Sequence, residues 1–342
     1  MANEQFLNEL LEKLKTFDKK GAESVCENLI NHLYSTGEKF KAKDAEKIMQ
    51  QLRNKRMFKL MLQVGDALIQ TGRQTYKIRK LYAQALIDQN ILTAAISILN
   101  ELIADTNAAS SEDTSALVEN FEAKGLMGRV HKQLYINAEH PGVSHNAQFI
   151  KDAVNYYLDV YKNEVQKNTW DGINVVALLF RAQKDGIDIS EFPDAKMLAS
   201  EVLETIEAKH NMEEADAWDF ATAGEACIAL DRPNEALEWF SGYARMPYCD
   251  AFELASTLRQ LEEVWKLDMS SESGRLILPL LRAELLKREG GNVIINVDDL
   301  QKQKATEATT TSTYDSMAQK TTDGNKVVLE KVFGDESFKT YK

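Results

Sequence analysis

Residues 76–105 read YKIRKLYAQALIDQNILTAAISILNELIAD, and the spacing of their small residues decides the fold. Ala83 is followed twelve residues later by Ala95, with Leu86, Leu99 and Leu102 at the surrounding apolar positions. Two helices approach closely only where both present small side chains, so Ala83 is expected to face Ala95 across a hairpin. Residues 217–247, AWDFATAGEACIALDRPNEALEWFSGYARMP, repeat the arrangement with Gly224 and Ala236 as the small pair and Cys227, Phe240 and Tyr243 around them. A degenerate copy joins GLMGRVHKQLY (125–135) to KDAVNYYLDVY (151–161), with Gly128 and Ala153 as the small pair. There the loop NAEHPGVSHN (137–146) widens the separation to 25 residues.

Helical periodicity extends outward from these units. In FLNELLEKL (6–14), Phe6, Leu7, Leu10, Leu11 and Leu14 mark one face of an amphipathic helix. The pattern continues to about residue 288 and predicts about fourteen helices, among them 171–184 and 247–265. Short connections make neighbours antiparallel. The expected class is all-α, an α-solenoid of antiparallel helix pairs over 1–290 with a flexible C-terminal tail.

The rows of small and large residues resemble the tetratricopeptide repeat, which has small residues at its eighth and twentieth positions and a bulky one at its twenty-fourth. A second resemblance rests on three separated motifs: Gly128, Arg129 and Lys132; Ala153 and Tyr157; and the block Gly172, Ile173, Asn174, Val176, Ala177, Leu178 and Leu179. Together they make residues 124–183 similar to the TRAFs-binding region of apoptosis signal-regulating kinases. Bacterial relatives of that kind place the helical region ahead of a trypsin-like serine protease. The terminal LEKVFGDESFKTY resembles the junction. The sequence has no protease body, so the resemblance implies a regulatory module of a protease system.

Composition agrees with a protein that has a proper core, at 44% hydrophobic and 27% charged residues. The net charge of -12 is uneven: residues 1–100 carry +5 and the remainder -17. A basic N-terminal third can attract an acidic partner, while the rest repels nucleic acid and anionic membranes. Cys26, Cys227 and Cys249 lie far apart, which predicts reduced, buried thiols. The N-terminus mixes charge into its apolar residues and no uncharged run approaches membrane-spanning length, so a cytoplasmic protein is expected.

Past Gly290 and Gly291 the character changes. Residues 291–300 read as a short clasp or strand. Residues 301–326 hold seven Thr and almost no apolar residue, the composition of a flexible linker. Thr309, Thr313, Asp315, Lys320 and Asp323 mark that linker as a cleavage region. Residues 327–342 regain apolar periodicity, as the start of a downstream module or a docking tail.

Phosphate-binding, dinucleotide, zinc-protease and serine-hydrolase signatures are absent, so no enzyme, cofactor or metal is expected. His140 and His145 share the insertion loop without Cys or carboxylate partners. Arg129 and Lys132, one helical turn apart, can receive an acidic group of a partner, or pair internally with Asp171 or Asp159. Lys77, Lys80, Gln84 and Asp88 occupy positions that line the groove of a tetratricopeptide repeat. There the resemblance implies a Lys and Asn grip on a peptide carboxylate; Lys80 matches the Lys, and Gln84 replaces the Asn. Trp170, Trp218, Trp239, Trp265, Tyr156 and Tyr157 are expected in the core. Asp171 is the expected N-cap of WDGINVVALLFRA (170–182), a core helix whose Asn174 needs amide partners.

The expected function is a non-catalytic scaffold that masks an effector, with a trypsin-like protease as that effector and a caspase-like protease as the upstream cutter. The alternative is a stand-alone adaptor gripping an acidic tail through the basic N-terminal repeats.

Overall fold

The computed structural model describes residues 2–35, 40–110, 112–138 and 144–289. The clasp, linker and tail expected beyond residue 290, with every proposed cleavage position, lie outside the described residues, as do His140 and the side chain of His145.

Fourteen α-helices follow one another among the described residues: α1 (Ala2–Lys15), α2 (Lys19–Ser35), α3 (Ala42–Asn54), α4 (Phe58–Gln70), α5 (Tyr76–Asp88), α6 (Leu92–Ala108), α7 (Thr114–Asn137), α8 (Ser144–Asn163), α9 (Thr169–Lys184), α10 (Ala195–Asn211), α11 (Ala217–Ala229), α12 (Pro233–Arg245), α13 (Ala251–Arg259) and α14 (Glu272–Arg288). A single π turn, Gln260–Val264, continues α13. No strand occurs among the described residues, and the fold is the all-α repeat array that the small-residue spacing predicts.

Close helix approach explains the pairs. Ala83, Ala95, Ala153 and Ala236 are fully buried. A Cβ on Gly224 would sit 2.6 Å from the Phe240 ring, and one on Gly128 would sit 2.9 Å from the Tyr157 ring. The missing side chain is the seat of the aromatic one turn beyond the small residue of the facing helix. Three of the hairpins start from the same closing turn. Arg56, Asn90 and Asp231 all take left-handed φ near 60° just after α3, α5 and α11. Their amides and those of the next residues return to carbonyls of the last turn, as Asn90 to Ile87 and Ile91 to Leu86.

Burial falls into three cores: α1 to α5, α5 to α7, and α7 to α14. The three cysteines are free and buried, and burial pushes each thiol up to about 12. Tyr157 is fully buried, and Trp170, Trp218, Trp239 and Trp265 pack half-buried against the cores.

Two local expectations are corrected. The N-cap of α9 is Asn168, and Asp171 lies in the first turn, buried, with Oδ1 lacking a hydrogen-bond partner. The Asn168 side chain makes no capping bond to α9; its amide donates backwards to the Val160 carbonyl at 2.7 Å. The helix predicted over 247–265 is a nine-residue α-helix followed by the π turn, which no glycine or proline announces.

Candidate interaction groove

The polar residues inside otherwise apolar helices meet along one seam. α13 and the π turn lie against the first helices of earlier pairs: α3, α5, α7, α9 and α11. At the N-terminal end, Lys55 Nζ meets Asp250 Oδ1 at 2.8 Å, and the Arg53 guanidinium sits 4.0 Å from the Phe252 ring centroid. Phe252 also packs edge-on against Phe58, so a residue near the end of the array enters the N-terminal core.

Asp88 is the hub of the middle. Its side chain is 2% exposed, and its Oδ1 accepts from Arg129 at 2.6 Å and from Arg259 at 3.2 Å. Two guanidinium groups thus share one carboxylate, and the charge of Arg129 is the leading cause that lowers the Arg259 pKa. One turn on, Lys132 Nζ donates at 2.7 Å to both Asn174 Oδ1 and Gln260 Oε1, while Gln260 Nε2 donates back to Asn174 Oδ1. Asn174 Nδ2 donates to the Trp170 carbonyl, so both the oxygen and the nitrogen of the amide in the apolar block have partners. At the far end Arg181 donates to the Glu263 carbonyl at 2.6 Å, and Trp265 Nε1 to Glu225 Oε2 at 2.8 Å.

The six residues singled out in the sequence divide. Asp88, Arg129 and Lys132 are brought together, each bonded within the chain. Lys80 pairs with Glu119 at 3.0 Å and Glu122 at 3.3 Å, Gln84 is buried, and Lys77 is half-buried away from these bonds. The internal acid of Arg129 is Asp88 instead of Asp171 or Asp159; Asp159 pairs with Lys124. Reasoning from sequence missed Arg181, Glu225, Arg259 and Gln260. Their signal was present only as lone polar residues on apolar helix faces.

Residues 55–179 match the family model described as Tetratricopeptide Repeats-Sensor. These residues form a tetratricopeptide-like helical region. No curated protein matches the chain. The tetratricopeptide-like region supplies Asp88, Arg129, Lys132 and Asn174, whereas α13 and the π turn lie outside it. Among the described residues no group of three or more His, Cys, Asp or Glu is placed to hold a metal, and no helix is long and apolar enough to cross a membrane.

Burial gives the groove two groups poised near neutrality. Desolvation pushes the Glu225 carboxyl up to about 7, against the bond from Trp265, and presses the Lys132 amine down to about 7. Between its ordinary value of 4.5 and about 7, Glu225 keeps a proton in the folded chain that the unfolded chain has released. Its contribution to stability is therefore full below that window and is lost as pH rises through it. Urea midpoints at pH 5 and pH 7 should show wild type losing on the order of 2 kcal/mol more across the window than Glu225→Gln. An equal change in both proteins contradicts the buried, protonated carboxyl.

Proposed function

We propose that the chain is a non-catalytic sensor and interaction scaffold whose groove, walled by α3, α5, α7, α9 and α11, is the responsive surface. The observation that carries this reading is the set of charged and amide side chains that the tetratricopeptide-like region directs to one seam. Their bonds within the chain, through Asp88, Arg129, Lys132 and Asn174, can be exchanged for equivalent bonds to a partner.

The effector we assign is a trypsin-like protease, on the strength of the bacterial arrangement that residues 124–183 resemble. The scaffold masks it in the cytoplasm, and a cut by a caspase-like protease within 301–326, around Thr309, Thr313, Asp315, Lys320 or Asp323, relieves the mask. Limited proteolysis tests the linker. Fragment masses should show a first cut inside 301–326, whereas earlier nicks within 144–289 would sink the idea. Mixing the chain with a trypsin-like protease encoded beside it should lower peptide hydrolysis, and cutting in 301–326 should restore it.

A peptide-binding adaptor using Lys77, Lys80, Gln84 and Asp88 remains the second reading, favoured by the charge of +5 on residues 1–100. It must break the pairs of Lys80 with Glu119 and Glu122 first. Charge reversal at Lys77 and Lys80 abolishes binding of an acidic peptide in that case and leaves masking intact.

A further inference from the structure

α13 does not sit where the repeat would carry it. From α4 to α11, each first helix packs on the second helix of the pair before it; in the last pair α14 makes the main contact with α12, and α13 crosses to α3. Units of a repeat array touch their neighbours, yet Lys55 and Asp250 are 195 residues apart and Arg259 and Asp88 are 171 apart. Something other than the repeat logic holds this segment in place.

The contacts that hold it are mostly polar and, beyond the Lys55 pair at the end of α3, come from four further helices. Arg259 reaches Asp88 of α5, Gln260 reaches Lys132 of α7 and Asn174 of α9, and Trp265 reaches Glu225 of α11. Leu254, Leu258, Leu261 and Val264 bury themselves in the C-terminal core with α14, so only Phe252 anchors the segment in the N-terminal core. The seam is also incompletely filled. A cavity of about 610 Å³ opens beside it, lined by Arg56, Phe58, Asp88, Ser256, Arg259 and Glu263 among others. Two of its lining residues, Asp88 and Glu263, each keep a carboxylate oxygen, Oδ2 and Oε2, buried without a hydrogen-bond partner. The π turn gives the segment a point of altered winding where it meets the groove, a feature common at functional sites.

The geometry points to α13 and its π turn as an internal ligand of the groove, standing where a partner's helix docks. That helix carries Arg-Gln with a Trp five residues beyond the Gln, the register of Arg259, Gln260 and Trp265. A partner of this chemistry remakes each polar pair as it enters, while the apolar side of α13 stays on α14. The cavity at Arg56, Phe58 and Ser256 is the entry point. The inference rests on the groove being the interaction face, as proposed above, and does not require the effector to be a protease.

A fluorescein-labelled peptide of residues 250–267, added to the full chain and followed by anisotropy, tests it. Arg259→Ala/Gln260→Ala unlocks the segment and should raise peptide affinity about tenfold or more over wild type, because the competing internal ligand is weakened. Lys132→Met in the unlocked chain should abolish the gain. An unlocked chain of wild-type helicity that binds no better than wild type overturns the inference, as does its dimerisation in size-exclusion chromatography, which would make a second copy the occupant. If the unlocked chain loses helicity, hydrogen exchange of wild type decides. Amides of 251–264 exchanging about tenfold or more faster than those of α9 support a displaceable segment, and equal protection overturns it. These readouts involve no protease, so failure of the masking role leaves them interpretable.

Discussion

Asp88→Ala should destabilise the folded chain by about 3–5 kcal/mol, the cost of breaking a buried ion pair from one side. The carboxylate is 2% exposed and separates Arg129 from Arg259, each bonded to its Oδ1. Without it, two guanidinium groups face each other in a site where the charge of Arg129 already lowers the Arg259 pKa. The loss should be read from urea midpoints. Arg259→Leu in the Asp88→Ala background should recover part of it, since one uncompensated charge then disappears. A single mutant within 1 kcal/mol of wild type would mean that water reaches both arginines and that the hub is a surface feature.

Gly224→Val carries the second large effect, through packing. A Cβ there meets the Phe240 ring at 2.6 Å, with further ring atoms at 2.8 Å, and the ring is fully buried against Gly224. Neither helix can retreat, because α11 also packs on α9 and α10 and α12 on α14. Overpacking of this kind costs about 1–3 kcal/mol, and the two branched methyls place the substitution at the upper end. Thermal unfolding measures it. Phe240→Leu should partly rescue Gly224→Val while destabilising the wild-type background, and that sign reversal identifies the ring as the obstacle. Equal losses in both backgrounds would place the strain elsewhere.

The same pair shows how much of the fold is legible in the sequence. Gly224 and Ala236, like Ala83 and Ala95, announce close approach because only small residues permit it. The match to the Tetratricopeptide Repeats-Sensor model covers the part of the array that contains Ala83, Ala95, Gly128 and Ala153. Periodicity places α9 and α14 within two residues of their observed ends. Caps are less legible: Asp171 and Asn168 are both good capping residue types, yet α9 starts after Asn168 with no side-chain cap, and the Asn168 amide turns back to the Val160 carbonyl.

The groove was half legible. Arg129 and Lys132 stand out as charges among apolar residues, yet their partners are 41 residues back, 42 ahead and 128 ahead in sequence. No period connects such positions; the path of the whole array brings them together. The departure of α13 from the stacking order has the same origin. Residues 251–264 carry ordinary helical periodicity; the polar residues of five distant helices, together with the seat of Phe252 beside Phe58, draw the segment across to α3 instead of continuing the array.

As proposed above, α13 and the π turn close the chain's own groove. Spin labels at Gln89→Cys, just after α5, and Ser256→Cys, in α13, both lining the cavity beside the seam, measure this by pulsed electron resonance. The native Cys26, Cys227 and Cys249 are buried, which leaves the introduced thiols as the reactive ones. Closure predicts one narrow distance peak in the free chain, shifting to longer distance when Arg259→Ala/Gln260→Ala unlocks the segment. A broad, long distribution in the free chain, unchanged by unlocking, would contradict it.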